Sequence, residues 1–143
     1  MTWGASLMRL PKGMTISQIA EQYGDSWQVP PIGSVTEIGE ALTSIFPDAQ
    51  HHADESVVQD GHAYLRFNYG NRKGIGTVDS IGVVSNGNED CVPIIRAVCD
   101  KLDLRMVDHQ SGEVVDFEQE PVRSVEEYRA FRDRALRKGD KAD

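Results

Sequence analysis

Residues 55–70 read ESVVQDGHAYLRFNYG, and this stretch decides the fold class. Ala63, Leu65, Phe67 and Tyr69 fall on one side of an extended chain, and His62, Tyr64, Arg66 and Asn68 on the other. A period of two belongs to a strand, whose successive side chains point to opposite faces. QDGH is a turn signal between two extended runs, so the stretch is a hairpin. After NRKG, a second turn signal, comes a third extended run, GTVDSIGVVSNG (76–87). Three consecutive strands joined in this way make an antiparallel meander.

Outward from the meander the period changes. SVTEIGEALTSIFP (34–47) carries Val35, Ile38, Leu42 and Ile45 at helical spacing, opens on the capping box Ser34/Glu37, and is stopped by Pro47. EDCVPIIRAVCDKL (89–102) has the same period in Cys91, Ile94, Ile95, Val98 and Leu102. Pro93 is tolerated only in a first helical turn, which sets the start near Asp90 as N-cap. TISQIAEQYG (15–24) gives two further helical turns ended by Gly24, and TWGASLMRLP (2–11) a first strand. LRMVDHQSGEVVDF (104–117) reads as a hairpin turning at Ser111 and Gly112. After a linker, SVEEYRAFRDRALRKG (124–139) is an amphipathic helix with the capping box Ser124/Glu127 and basic later turns. The order β-α-α-β-β-β-α-β-β-α predicts an α+β domain over residues 1–143, a mainly antiparallel sheet packed against about four helices. It excludes a doubly wound nucleotide fold, which needs strand and helix in alternation.

At 143 residues the chain is long enough to bury its own core. No apolar run approaches the ~20 residues of a membrane span. The N-terminal segment lacks a basic start followed by an apolar stretch, so the expected location is cytoplasmic. Cys91 and Cys99, eight residues apart on one helix, stand ~12 Å apart along its axis and cannot pair with each other. They are expected to be buried thiols. The net charge of −8 is concentrated: between Asp79 and Glu120 ten acids face three bases, Arg96, Lys101 and Arg105. Such a field repels nucleic acid and anionic lipid and favours a basic partner.

Candidate chemistry is sparse. PDAQHHADES (47–56) places His51, His52 and Asp54 together, with His62 and His109 as distant third ligands for zinc. Adjacent histidines on an extended segment point apart, so a strand-edge or loop role is the favoured reading. Gly70, Gly74 and Gly76 lie between strands and have no helix to present to a phosphate, which makes them turn residues. Ser111, near His109 and Asp108, and Cys99 are the candidate nucleophiles. Sequence neighbours do not make a triad, and a mid-helix apolar position disfavours a thiolate. No cofactor is called for. Trp27, in the loop DSWQVPPIG (25–33), is either tucked beneath that loop or offered to a partner as an anchor.

The chain also resembles an uncharacterised family of small soluble bacterial proteins. The resemblance rests on Trp3 with LMRLPKG (7–13), on PPIGSVTEIGEALTSIFP (30–47), and on SNGNEDCVPIIRAVCDKLDLRMVDHQSGEVVDF (85–117). It covers residues 3–117 and carries no catalytic motif. AQHHADE (49–55) departs from the family pattern. In size, acidity and layout the family is similar to immunity proteins, which bind and neutralise a bacterial toxin. The resemblance therefore implies a protein-binding module of immunity type; the charge distribution points to the acidic 79–120 region, with Asp100, Asp103 and Asp108, as the surface that would occlude a basic toxin, and to Trp27 as a candidate anchor. The alternatives are a metal-dependent hydrolase using His51, His52 and Asp54, and a regulatory subunit self-associating through an exposed strand edge.

Overall fold

The computed structural model describes residues 3–24, 28–70, 77–86, 90–109, 112–115 and 117. The expected fourth helix (124–139), Trp27, Ser111 and the NRKG turn lie outside them. Among the described residues nine elements are present in chain order: β1 (Trp3–Met8), α1 (Ile16–Tyr23), α2 (Val35–Ile45), β2 (Gln50–His51), β3 (Glu55–Asp60), β4 (Ala63–Asn68), β5 (Ile81–Ser85), α3 (Cys91–Leu102) and β6 (Arg105–Asp108). The six strands form one sheet in the order β2-β3-β4-β5-β1-β6, antiparallel at every pairing. The α+β class and the antiparallel meander β3-β4-β5 are as the alternation demands.

Local chemistry explains the elements. The β3–β4 turn sits at Gly61, whose φ of +59° lies in the left-handed region that favours glycine. The expected Ser34/Glu37 capping box is made: Ser34 Oγ accepts from the Glu37 amide at 3.1 Å while Glu37 Oε1 accepts from the Ser34 amide; Thr15 with Gln18, a cap the sequence reading did not name, does the same for α1. Asp90 occupies the N-cap position of α3 but makes no side-chain capping bond there. At the C-terminal hairpin Val114 bridges back to Val107, with Asp108 N donating to Glu113 O at 3.0 Å and Val115 N to Met106 O at 2.8 Å.

Of two features of the topology, the first is the strand-edge role expected of 47–56 as one of two readings, and the second could not be read locally. The segment 47–56 contributes the edge strand β2, paired with β3 through Gln50↔Val57 and His51↔Ser56. The N-terminal strand β1 inserts between β5 and β6, antiparallel to both, so β5 and β6 run parallel with β1 between them. The unit β5-α3-β6 is thus a split β-α-β crossover.

The register puts Ala5, Leu7, Val58, Ala63, Leu65, Phe67, Ile81, Val83 and Met106 on one face of the sheet, each at most 5% exposed. α2 packs against α3 and β3, and α3 also against β4; Ile38, Leu42, Ile95 and Val98 fill the interface. Phe46, at the end of α2, stacks on Phe67 with ring centroids 6.1 Å apart. Each large side chain removed from water in this layer stabilises the fold by ~1.5–3 kcal/mol. Trp3, 2% exposed, is the one core residue among those described whose buried polar atom, Nε1, has no hydrogen-bond partner.

Candidate functional site

The second face of the sheet is built differently. Its residues are Gly4, Ser6 and Met8 of β1, Glu55, Val57 and Gln59 of β3, Tyr64, Arg66 and Asn68 of β4, Gly82 and Val84 of β5, and Arg105 and Val107 of β6, and none of them is buried. Tyr64 is 39% exposed and Val84 45%. Arg66 lies between Val57 and Val84 in register, and its Nε donates to Glu55 Oε1 at 2.6 Å. The neighbouring Tyr64 hydroxyl and then the Glu55 charge raise the Arg66 pKa further above its ordinary value. At the β2-β3-β4 end, Asp48, Gln50, His52, Glu55, Tyr64 and Arg66 line a shallow cavity of about 450 Å³. The face is thus an aromatic and an aliphatic side chain set among paired charges.

Across the sheet the same face carries a serine–histidine pair that the sequence did not suggest. Ser6 Oγ and His109 Nε2 stand 2.6 Å apart, and the His109 amide donates to Gly4 O. The ring lies over Gly4, where an added Cβ would come within 3.0 Å of Nδ1, so the glycine makes room for it. Ser111, the serine expected near His109, lies outside the described residues; Ser6, 103 residues away, meets the ring because β1 pairs with β6. Only the strand order could have revealed this. Among the described residues no carboxylate accepts from His109 Nδ1.

The His-rich segment has a structural task. His51 Nε2 lies 2.8 Å from Phe46 O, and Nδ1 lies 2.8 Å from Ser56 Oγ, which is itself 3.0 Å from the Tyr69 hydroxyl. A ring nitrogen facing a carbonyl must donate, so in the neutral ring Nδ1 accepts from Ser56, and Ser56 accepts from Tyr69. Ser56 and Tyr69 are both 0% exposed. The chain of bonds ties the end of α2 to β2, β3 and the end of β4. His52 is exposed and Asp54 lies against Gly70, so the three residues do not converge. Among the described residues no group of three His, Cys, Asp or Glu side chains could hold a metal ion.

The other expected site residues separate into two kinds. Asp100 and Asp103 have side chains 75% exposed and, among the described residues, only long ion pairs, 4.0 Å to Arg96 and 3.6 Å to Lys12. Asp108 is 2% exposed, beside Ala5 on the helix-covered face, so the expected acidic contact surface keeps Asp100 and Asp103 and loses Asp108. The alternation that begins β6 with a partly exposed Arg105 turns Asp108 inward. Cys91 and Cys99 are buried and unpaired as disulfides, and burial, followed by the charge of Asp100, pushes the Cys99 thiol up to about 12. It is not a nucleophile at neutral pH.

No helix among the described residues is long and apolar enough to cross a membrane. Comparison with models of protein families, with curated proteins and with solved structures gave no match. What the described residues offer is therefore their own geometry: one sheet face buried beneath helices and one that none of them covers.

Proposed function

We propose that this chain is a cytoplasmic protein-binding module, an immunity-type inhibitor that neutralises a basic bacterial toxin by occluding it. One observation supports this most: a six-stranded sheet that, among the described residues, is covered by helices on one side only, with Tyr64 and Val84 exposed on the other, in a chain of net charge −8. Tyrosine and arginine are the residue types from which interface anchors are drawn, and Tyr64 and Arg66 stand on the same strand and the same face. Asp100 and Asp103 supply charge that steers a basic partner, an effect worth ~10–10³-fold in association rate. Trp27 is a further candidate anchor. The reading calls for neither a cofactor nor nucleic acid.

The test uses the chain as bait in a lysate of its native organism at low salt, with elution at high salt and identification by mass spectrometry. The expected catch is one basic protein near one-to-one, released as salt screens the contact. Co-expression of the chain should suppress that protein's toxicity. With the partner in hand, Tyr64→Ala with Val84→Asp should speed dissociation, whereas Asp100→Lys with Asp103→Lys should slow association and flatten its salt dependence. Unchanged affinity in both double variants, with the fold intact, rules out these surfaces.

A further inference from the structure

Binding of a protein partner leaves Ser6 and His109 without a task. Both stand at the β1–β6 side of the sheet face that the described helices leave open, Ser6 partly exposed and His109 exposed. Register explains how they meet. Ala5 pairs with Asp108 and Ser6 with Val107, and the His109 amide donates to Gly4 O at 3.1 Å, so His109 lies across from Gly4. That position is diagonal to Ser6, within reach of a large side chain. Gly4 has no Cβ to stop the imidazole from lying down along β1, and Nε2 comes to 2.6 Å from Ser6 Oγ.

This is the contact of a nucleophile with its base: a hydroxyl and an imidazole within hydrogen-bond reach, at a surface open to a substrate. When Nδ1 carries the ring's own proton, Nε2 accepts from the Ser6 hydroxyl and can take its proton as the oxygen attacks. The surroundings indicate the class of substrate. Ser6 is flanked in register by Gly82 on β5 and Val107 on β6, and along its own strand by Gly4 and Met8, with Val84 paired to Gly4. The two glycines keep the floor low beside the hydroxyl, and Met8, Val84 and Val107 give it an apolar rim. An apolar acyl group suits that rim, and an aryl ester has a leaving group stable enough to depart without first being protonated.

We propose that Ser6 is an acyl acceptor, activated by His109, for aryl esters of short apolar carboxylic acids. Ser6 Oγ bonds to the ester carbonyl carbon while His109 Nε2 takes the hydroxyl proton. The bond from that carbon to the aryl oxygen breaks, and the departing aryloxide takes up the proton from the imidazolium. Water then attacks the acyl-serine, giving a proton to Nε2, which returns it to Ser6 Oγ as the carboxylic acid leaves. The activity belongs to the chain alone and does not rest on the protein-binding reading.

The experiment incubates the full chain with p-nitrophenyl butyrate, following nitrophenol by absorbance and the acylated residue by peptide mass spectrometry. The expected result is nitrophenol release that depends on Ser6, with the acyl group trapped on the peptide that carries it. Ser6→Ala should abolish both. His109→Gln, which keeps a polar group but no base, should slow the Ser6-dependent reaction about 100-fold. Gly4→Ala leaves both reacting groups in place, yet its Cβ would stand 3.0 Å from Nδ1 and push the ring off Ser6, so a loss of about tenfold is expected. A merely structural hydrogen bond predicts none of these losses. Release and labelling unchanged in Ser6→Ala overturn the proposal. So does a Ser6 rate unchanged in His109→Gln, or an acyl group confined to lysines and His109.

Discussion

Strand β4 shows the two faces of this sheet in six residues. Ala63, Leu65 and Phe67 are 0% exposed beneath the helices, while Tyr64, Arg66 and Asn68, interleaved with them, are all exposed. The same backbone, the same pairing to β3 and β5 and nearly the same neighbours serve both sets. What differs is that α2 and α3 bring an apolar layer to one side. The side chains chosen for the other are those that tolerate water and can still be buried later: an aromatic ring with a hydroxyl, a guanidinium held by Glu55, a valine on the adjoining strand. A sheet needs only one covered face to be stable, so the second is free to be specialised for contact.

The largest expected effect breaks the comparison at its clearest point. Phe67→Ala removes a fully buried ring stacked on Phe46 and should cost ~3–5 kcal/mol in chemical denaturation, the sum of lost transfer energy and the cavity left behind. Tyr64→Ala, three residues earlier and on the opposite face, should change stability by no more than ~1 kcal/mol. Equal losses would mean that the second face is covered in solution.

A smaller effect concerns the polar seam inside the covered face. Ser56 both donates to His51 and accepts from Tyr69, and it is wholly buried. Ser56→Ala leaves the Tyr69 hydroxyl without its acceptor in a dry site, which should cost ~1–3 kcal/mol. The double variant Ser56→Ala/Tyr69→Phe removes both ends of that bond and should recover part of the loss. Additive losses in the thermodynamic cycle would show that the bond contributes nothing of its own.

The seam also shows what was legible in the sequence and what was not. The strand period in Ala63–Tyr69 and the helix stripe in Val35–Ile45 are local, so elements, caps and fold class follow from short windows. The strand-edge or loop role favoured for the His51 segment was legible, but the partners that define it, Phe46, Ser56 and Tyr69, converge only when the sheet forms. Asp108 looked like surface charge because acids usually are, and the parity of a four-residue strand turned it inward. Ser6 and His109 meet because β1 was inserted beside β6, a choice no local pattern records. Strand order is a property of the whole core, and every part of the candidate site that depends on it was hidden.

A thiol on each side of the sheet sharpens the contrast further. Cys99, on α3 against the covered face, is held up to about 12 from an ordinary 9.0, chiefly by burial. A thiol raised in the folded state keeps its proton longer there than in the unfolded chain. Its contribution is therefore whole below about pH 9 and is lost as pH rises toward about 12. In that window unfolding free energy should fall by as much as ~1.4 kcal/mol per pH unit on account of this one group. Cys99→Ala lowers stability at neutral pH by leaving a small cavity, so the quantity to compare is the slope, which should be shallower above pH 9 than in the parent chain. Val84→Cys places a thiol on the uncovered face, where a disulfide reagent at pH 8 should label it at once while Cys91 and Cys99 react only as the chain unfolds. Slow labelling at position 84 would show that face to be occupied, and with it the reading of the sheet as one-sided would fail.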